Sequence, residues 1–325
     1  MDYKKLGKCG LKVSPVCLGT MTFGREATEE SSFAIMDYFV ELGYNFLDSA
    51  NAYSRGGSEE VVGRWMRARG NRQSIVLATK VFGSMGPGPN DGGLSRLHIV
   101  AAVEESLRRL QTDRIDLYQI HRWDSQVPPE ETLEALNVLV RQGKVCYIAC
   151  SNLRGWQLAQ YLYLADTHLL DRFVSIQPVY NALNRGIELE ILPLCEDQGL
   201  GVIPYNPLAG GVLTGKYTRG AEPPAETRLH ANEGYRQRYL ADDMFELVER
   251  FLAAAVEMNV TPAQLALAWV MAEPRVTAPI LGARSLEQLQ DSLRGAELEL
   301  GPEARDALPA VESGRWIGAD PVYSR

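Results

Sequence analysis

Two hydrophobic periods alternate along this chain. Short apolar runs, many of them β-branched, occupy 16–19, 45–49, 75–80, 115–120, 145–151, 174–177, 201–205 and 276–281, and they predict strands. Between them apolar residues recur with helical spacing, predicting helices over 29–42, 58–69, 95–110, 129–142, 154–166, 188–198, 244–258 with 262–272, and 285–292. Start and stop residues frame several of these. Ser95 and Thr261 stand at N-cap positions, Pro262 at a first helical position, and Gly43 and Gly143 just past helix ends. A hairpin is predicted ahead of the first unit, with 3–6 turning through Gly7-Lys8-Cys9-Gly10 into 11–13. Eight strand-then-helix units without a long linker predict an α/β chain, a single (β/α)8 TIM-type barrel with an N-terminal β-hairpin, spanning 1–325 as one domain. A doubly wound open sheet is the competing arrangement of the same units.

Two stretches break the rhythm: 87–93, rich in Gly, Pro, Asn and Asp, and the long polar segment 218–243. Loops that follow barrel strands lie on the face that carries the site, so both are expected to form pocket walls or lids.

Composition narrows the function class. A net charge of −8, from 33 basic and 41 acidic residues, argues against a nucleic acid or an anionic membrane as partner, while leaving room for a local basic pocket. The five cysteines show neither CxxC nor zinc spacing, so no metal is expected. Cys146 and Cys150, four apart in a predicted strand, are expected to face one side as small core residues. No apolar run approaches the ~20 residues of a membrane span, and no leader is visible at the N-terminus, so a soluble, cytoplasmic protein is expected. The pattern leaves the oligomeric state open.

The familiar phosphate motifs fail. Gly210-Gly211-Val212-Leu213-Thr214-Gly215-Lys216-Tyr217 nearly matches a P-loop, but Tyr217 stands where a Ser or Thr must ligate magnesium. A GxGxxG opening a helix after a strand is missing.

A different constellation carries chemistry. Asp48 ends the second predicted strand and Tyr53 follows on its loop; Lys80 ends the third strand and His121 the fourth. Adjacent barrel strands lie ~5 Å apart, so these ends converge. A tyrosine with a pKa near 10 is a reluctant acid at neutral pH. A neighbouring ammonium favours its phenolate, and a carboxylate keeps that ammonium charged and oriented. A histidine can hold a carbonyl oxygen by hydrogen bond. Together they make a proton donor poised at a carbonyl oxygen.

At these residues the sequence resembles the aldo-keto reductase family over nearly its whole length. The set Asp48, Tyr53, Lys80 and His121 matches the family's catalytic tetrad. Similar phrases surround it: Leu18-Gly19-Thr20-Met21, Asp48-Ser49-Ala50-Asn51-Ala52-Tyr53, Ser106-Leu107-Arg108-Arg109-Leu110 leading to Asp116-Leu117-Tyr118, and Ser151-Asn152. The resemblance implies a barrel that transfers hydride from NADPH to a small-molecule aldehyde or ketone without metal or flavin. It places Thr20, Met21 and Asp48 near the nicotinamide, Ser151, Asn152 and Gln177 on its carboxamide, and Tyr205 stacked on its ring. Asn206, Pro207, Leu208, Ala209 and Gly210, with Lys216 and Arg228, would wrap the phosphates. In the last cofactor segment, which begins at Gly282, Arg284 and Ser285 would meet the adenosine 2′-phosphate at a helix N-terminus, the ground for NADPH over NADH. Gln288, Asp291 and Ser292 would lie near the adenosine, although Ser292 departs from the family's usual asparagine.

Phe23, Phe82 and Trp123 flank the tetrad in sequence and are expected to line the substrate pocket, with Arg25 and Arg122 nearby. Two other readings fit parts of the pattern. One is a cofactor-sensing subunit like the channel-associated beta subunits of the superfamily, although that branch replaces the histidine found here as His121. The other is an unrelated barrel enzyme with Lys80 as a Schiff-base nucleophile, to which the cofactor phrases give no support.

Overall fold

The computed structural model describes residues 1–312 apart from 226, 232, 240 and 241. The chain opens with an antiparallel hairpin, β1 (Lys4–Lys5) and β2 (Lys12–Val13). Strands and helices then alternate: β3 (Cys17–Gly19), α1 (Glu29–Glu41), β4 (Phe46–Asp48), α2 (Gly57–Arg69), β5 (Val76–Val81) and α3 (Arg96–Leu110). There follow β6 (Ile115–Ile120), α4 (Pro129–Arg141), β7 (Val145–Ser151), α5 (Gly155–Thr167), β8 (Ser175–Gln177), α6 (Ile191–Gln198) and β9 (Gly201–Val202). Helices α7 (Arg228–Ala231), α8 (Glu233–Tyr239), α9 (Asp242–Glu257) and α10 (Pro262–Met271) precede β10 (Ile280–Gly282), which leads to α11 (Leu286–Leu293) and α12 (Pro302–Ala307).

The strands β3 to β10 form one parallel eight-stranded sheet in which β10 pairs with β3. The remaining edges meet as well. Tyr205 bridges Ile280 in parallel, and the amides of Thr277 and Ile280 donate to the carbonyls of Val202 and Pro204, each at 2.8 Å. The sheet therefore curls into a (β/α)8 barrel, and the open doubly wound alternative is not adopted. β9 and β10 are shorter than the apolar runs that foretold them because Pro204 and Pro279 have no amide to donate.

Alternation along the strands gives the barrel its interior. The inward positions nearer the N-terminal end are apolar: Cys17, Phe46, Val76, Ala78, Leu117 and Ala149 pack together with Leu6 and Val13 of the hairpin, which plugs that end. Two residues further along, the same faces turn polar, at Asp48, Lys80, Gln119 and Ser151. The intervening outward residues, Leu47, Leu77, Tyr118 and Cys150, pack under the helices. This shift from apolar to polar along one period-two face puts a charged layer at the barrel's C-terminal end.

Three expectations need correction. Cys146 is exposed while Cys150 is buried, because Cys146 sits at the start of β7, short of the helical layer. The polar stretch 218–243, set apart as a loop after a barrel strand, contains the short helices α7 and α8 and the start of α9 among its described residues. The segment read as one helix over 188–198 begins only at Ile191, after a 3-10 turn at Gly186–Glu188. Other signals act as foreseen. The Ser95 hydroxyl accepts from the His98 amide, Thr261 forms a capping box with Gln264, and Gly43 and Gly143 take positive φ past their helices. Among the described residues no single helix is long and apolar enough to cross a membrane.

Helices α2 and α3 approach so closely that a Cβ on Gly63 would lie 2.3 Å from the Arg109 carbonyl oxygen. Gly63→Ala must push two backbones apart and is expected to cost ~1–3 kcal/mol. Chemical denaturation checks this, with Gly301→Ala, where the space is open, as the control expected to stay close to wild type.

Candidate active site

The polar layer is built around one buried ion pair. Lys80 Nζ donates to Asp48 Oδ2 at 2.5 Å, to the Ser49 carbonyl at 2.8 Å and to Tyr53 Oη at 3.1 Å. Lys80 and Asp48 are 0% and 1% exposed, so water supplies none of this stabilisation. Burial pulls the lysine pKa down, but the carboxylate of Asp48 and the phenol of Tyr53 outweigh it and hold it above its ordinary value. The ammonium is thereby kept charged. The other oxygen of Asp48 accepts from Gln119 Nε2 at 2.8 Å and Gln177 Nε2 at 2.9 Å, and Gln177 also donates to Gln119 at 3.2 Å.

Tyr53 is placed by an unusual turn. Ser54, Arg55 and Gly56 after it all have positive φ, and Ser54 Oγ donates to the Phe23 carbonyl at 2.9 Å. Gly56 is required at φ 94°, where a Cβ would lie 2.7 Å from Arg109 Cδ. Arg109 is itself fixed by a buried pair with Glu59 at 2.7 Å, and Glu59 also accepts from Thr79 at 2.6 Å. His121 meets the Tyr53 ring edge-on, 5.9 Å between centroids. Burial, then the charges of Lys80 and Arg122, push the His121 pKa down to about 3, so the imidazole is neutral at physiological pH.

Two cavities open at this point, and Met21, Tyr53 and His121 wall both. The outer one, about 470 Å³, lies under the segments after β5 and β6 and includes Phe82 and Arg122. The other, about 430 Å³, runs as a cleft past Asn152, Gln177 and Tyr205 to the N-terminus of α11. Its far end gathers Lys216, Arg228 and Arg284. Burial and then the charges of Arg284 and Arg228 lower the Lys216 pKa, so the three cations feel one another.

The family model described as Aldo/keto reductase family matches residues 15–312. The chain belongs to the aldo/keto reductase family. It is 41% identical to the uncharacterized oxidoreductase YrpG of Bacillus subtilis, over 97% of each chain. It is 40% identical to a probable voltage-gated potassium channel subunit beta of Arabidopsis thaliana, over 92% of each. It is 36% identical to norsolorinic acid reductase B of Aspergillus parasiticus, over 94% of this chain and 83% of the relative. An aldo/keto reductase is an oxidoreductase.

Most residues singled out from the sequence of this aldo/keto reductase come together here. Met21, Asp48, Tyr53, His121, Asn152, Gln177 and Tyr205 line the inner half of the cleft. Asn206, Pro207, Leu208, Gly210, Lys216, Arg228, Gly282, Arg284, Gln288, Asp291 and Ser292 line the outer half. Four others sit behind or beside the wall. Thr20 donates to the Asp48 carbonyl at 3.1 Å, and Ser151 donates to the Gln177 carbonyl at 2.7 Å. Ala209 is fully buried, and the Ser285 hydroxyl caps α11 by accepting from the Gln288 amide at 3.4 Å. Of the three aromatics expected at the substrate pocket, Phe82 walls the outer cavity; Phe23 is fully buried in the outer core and Trp123 packs on Trp156 and Tyr161, and neither is among the described residues that wall these two cavities.

Sequence reasoning passed over Gln119, whose signal was available: it lies two residues before His121, on the same inward face. Tyr239 was also missed. Its hydroxyl accepts from Asn206 at 2.9 Å and Asn181 at 3.2 Å, locking the 206–210 turn from α8. No motif announces a residue that acts from an inserted helix.

Two outcomes follow from this electrostatic arrangement. Asp48→Asn leaves the Lys80 ammonium buried without its counter-charge and is expected to cost ~3–5 kcal/mol in unfolding free energy, read by denaturant titration. In an NMR titration the His121 ring should stay neutral from pH 8 to below pH 5, since its folded pKa of about 3 lies under the ordinary value of 6.5. A midpoint near 6.5 would contradict the burial assigned to it.

Proposed function

We propose that this aldo/keto reductase reduces an aldehyde or ketone to its alcohol, with NADPH as hydride source and Tyr53 as proton donor. The observation that carries the reading is the junction of the two cavities at Tyr53 and His121, with Lys80 Nζ 3.1 Å from the phenol oxygen. A dinucleotide suits the cleft. Lys216, Arg228 and Arg284 offer cations to its phosphates, and positive φ at Gly210 and Gly211 turns the 206–211 backbone along the wall. An anion set among the three cations would relieve the mutual repulsion that Lys216 registers. Arg284, at the N-terminal end of α11, is the candidate for a 2′-phosphate, since a guanidinium and a helix N-terminus both favour an anion.

When bound, a reduced nicotinamide supplies hydride to the carbonyl carbon. The protein's task is the oxygen. His121, neutral, offers an N–H to the carbonyl oxygen and orients it without competing as an acid. Tyr53 gives its phenolic proton to that oxygen as negative charge develops there. The ammonium of Lys80 stabilises the phenolate left behind, and Asp48, held by Gln119 and Gln177, keeps the ammonium aimed. Solvent then reprotonates Tyr53 through the outer cavity. The partner is thus a small carbonyl compound and not a nucleic acid or a membrane.

The likeness to a potassium channel subunit beta favours a second reading, a subunit that binds NADPH and senses it with little turnover. One comparison separates the two. NADPH oxidation is followed with a panel of aldehydes and ketones for wild type and Tyr53→Phe, alongside NADPH affinity. The reductase reading expects turnover to fall by ~10²–10⁴-fold in the variant while affinity holds. Firm NADPH binding by wild type with no turnover on any carbonyl would favour the sensing subunit. For the cofactor, Arg284→Ala should weaken NADPH ~10-fold or more and leave NADH nearly unchanged; equal losses for both would remove the 2′-phosphate from Arg284.

A further inference from the structure

The outer cavity has a charge character that the reaction itself does not require. Among the described residues its wall carries two guanidinium groups, Arg25 and Arg122, and no carboxylate side chain, in a protein whose net charge is −8. The two cations differ in their surroundings. Arg25 is exposed, and its Nη2 lies 2.5 Å from Glu26 Oε1, so its charge is offset locally. Arg122 is half-buried with its guanidinium carbon 4.1 Å from the centroid of the Phe82 ring, and among the described residues no carboxylate pairs with it. Stacking on the ring spends the flat face of the guanidinium and leaves its N–H edge available, the edge that grips a carboxylate in bidentate fashion.

Position matters as much as charge. Arg122 directly follows His121 at the end of β6, so a rigid strand sets its place relative to the reacting end of the cavity. Its charge is among the causes, after burial and Lys80, of the lowered His121 pKa. Between these groups the wall is smooth: Gly83, Gly92 and Gly93 present no side chains beside Phe82. A flat spacer fits such a wall better than a branched one. Salt screens the protein's overall negative charge beyond ~8 Å, so an anion that reaches the mouth responds mainly to the local cations.

We propose that the outer cavity selects carbonyl compounds bearing a carboxylate on a flat spacer, as in an anionic aromatic aldehyde, with the carboxylate on Arg122 and the ring beside Phe82. This rests on the reductase reading for its chemistry but not for its binding.

The test pairs 4-carboxybenzaldehyde with its methyl ester, which keeps the ring and the aldehyde and removes the charge. Wild type should favour the acid by at least ~10-fold in kcat/KM, about 1.4 kcal/mol, with most of the difference in KM. Raising the ionic strength should narrow the ratio. Arg122→Gln should reduce the acid-to-ester ratio ~10-fold, Arg122→Lys by less, and Arg25→Gln by little. Calorimetric titration of the same two compounds into protein in saturating NADP+ reads the subsite without turnover. Preferential binding of the acid with no turnover of either compound, or of any carbonyl in the wider panel, would preserve the anion site and sink the reductase reading. Equal or better use and binding of the ester, or an acid-to-ester ratio indifferent to Arg122, would overturn the anion site and leave the reductase reading standing.

Discussion

A lysine with no exposed surface can remain charged only if every direction around its ammonium is answered. Lys80 has three N–H bonds, and the barrel gives each an acceptor: the Asp48 carboxylate, the Ser49 carbonyl and the Tyr53 phenol oxygen. Desolvating two ions costs several kcal/mol each unless the pair is fully hydrogen-bonded, which explains the glutamines at the second Asp48 oxygen. The rest of the site inherits its order from this arrangement. Because Tyr53 Oη accepts from the ammonium, its own hydrogen is directed away from Lys80. The same positive charge helps to keep His121 neutral. One ion pair thus sets the proton on two neighbouring groups.

The scaffold protects that pair from both sides. Below it, the apolar plug of the barrel and the hairpin excludes water; above it, Tyr53 and His121 close the floor of both cavities. Behind Tyr53, the buried Glu59–Arg109 pair braces the turn whose positive φ angles present the phenol. Rigidity is therefore concentrated at Tyr53. Polar anchoring extends along the cleft through Asn152, which accepts from Tyr205 at 2.8 Å and donates to the His121 carbonyl at 3.0 Å. The cations at the far end sit on the 216, 228 and 284 segments, contributed by three separate stretches of chain.

What could be read in advance followed from periodicity. The alternation of strands and helices pointed to a barrel over an open doubly wound sheet, and the polar residues at or just past the ends of β4, β5 and β6 marked where charge would converge. Gln119 was equally legible by the same two-residue step from His121 and was passed over because glutamine carries no obvious chemistry. Other features were hidden for physical reasons. Phe23 and Trp123 sit on loops beside the site, but a loop aromatic turns toward whichever apolar surface is nearer, and for both that surface is the helical layer. Prolines in the last two apolar runs shortened strands that hydrophobicity alone would have drawn longer. The helices within 228–239 have a polar sequence and are held by tertiary contacts such as that of Tyr239 with Asn206, which local pattern does not encode.

The central claim is that the buried ion pair serves a proton donor in a hydride-transfer reaction. Its most direct test is isotopic: reduction of aromatic and aliphatic aldehydes in ordinary water with NADPH deuterated at the nicotinamide C4, followed by mass spectrometry and NMR of the alcohol. With both C4 positions deuterated, the account predicts deuterium on the former carbonyl carbon of the wild-type product and little or no alcohol from Tyr53→Phe. Alcohol whose new carbon-bound hydrogen comes from solvent, or the absence of any alcohol from wild type, would contradict it.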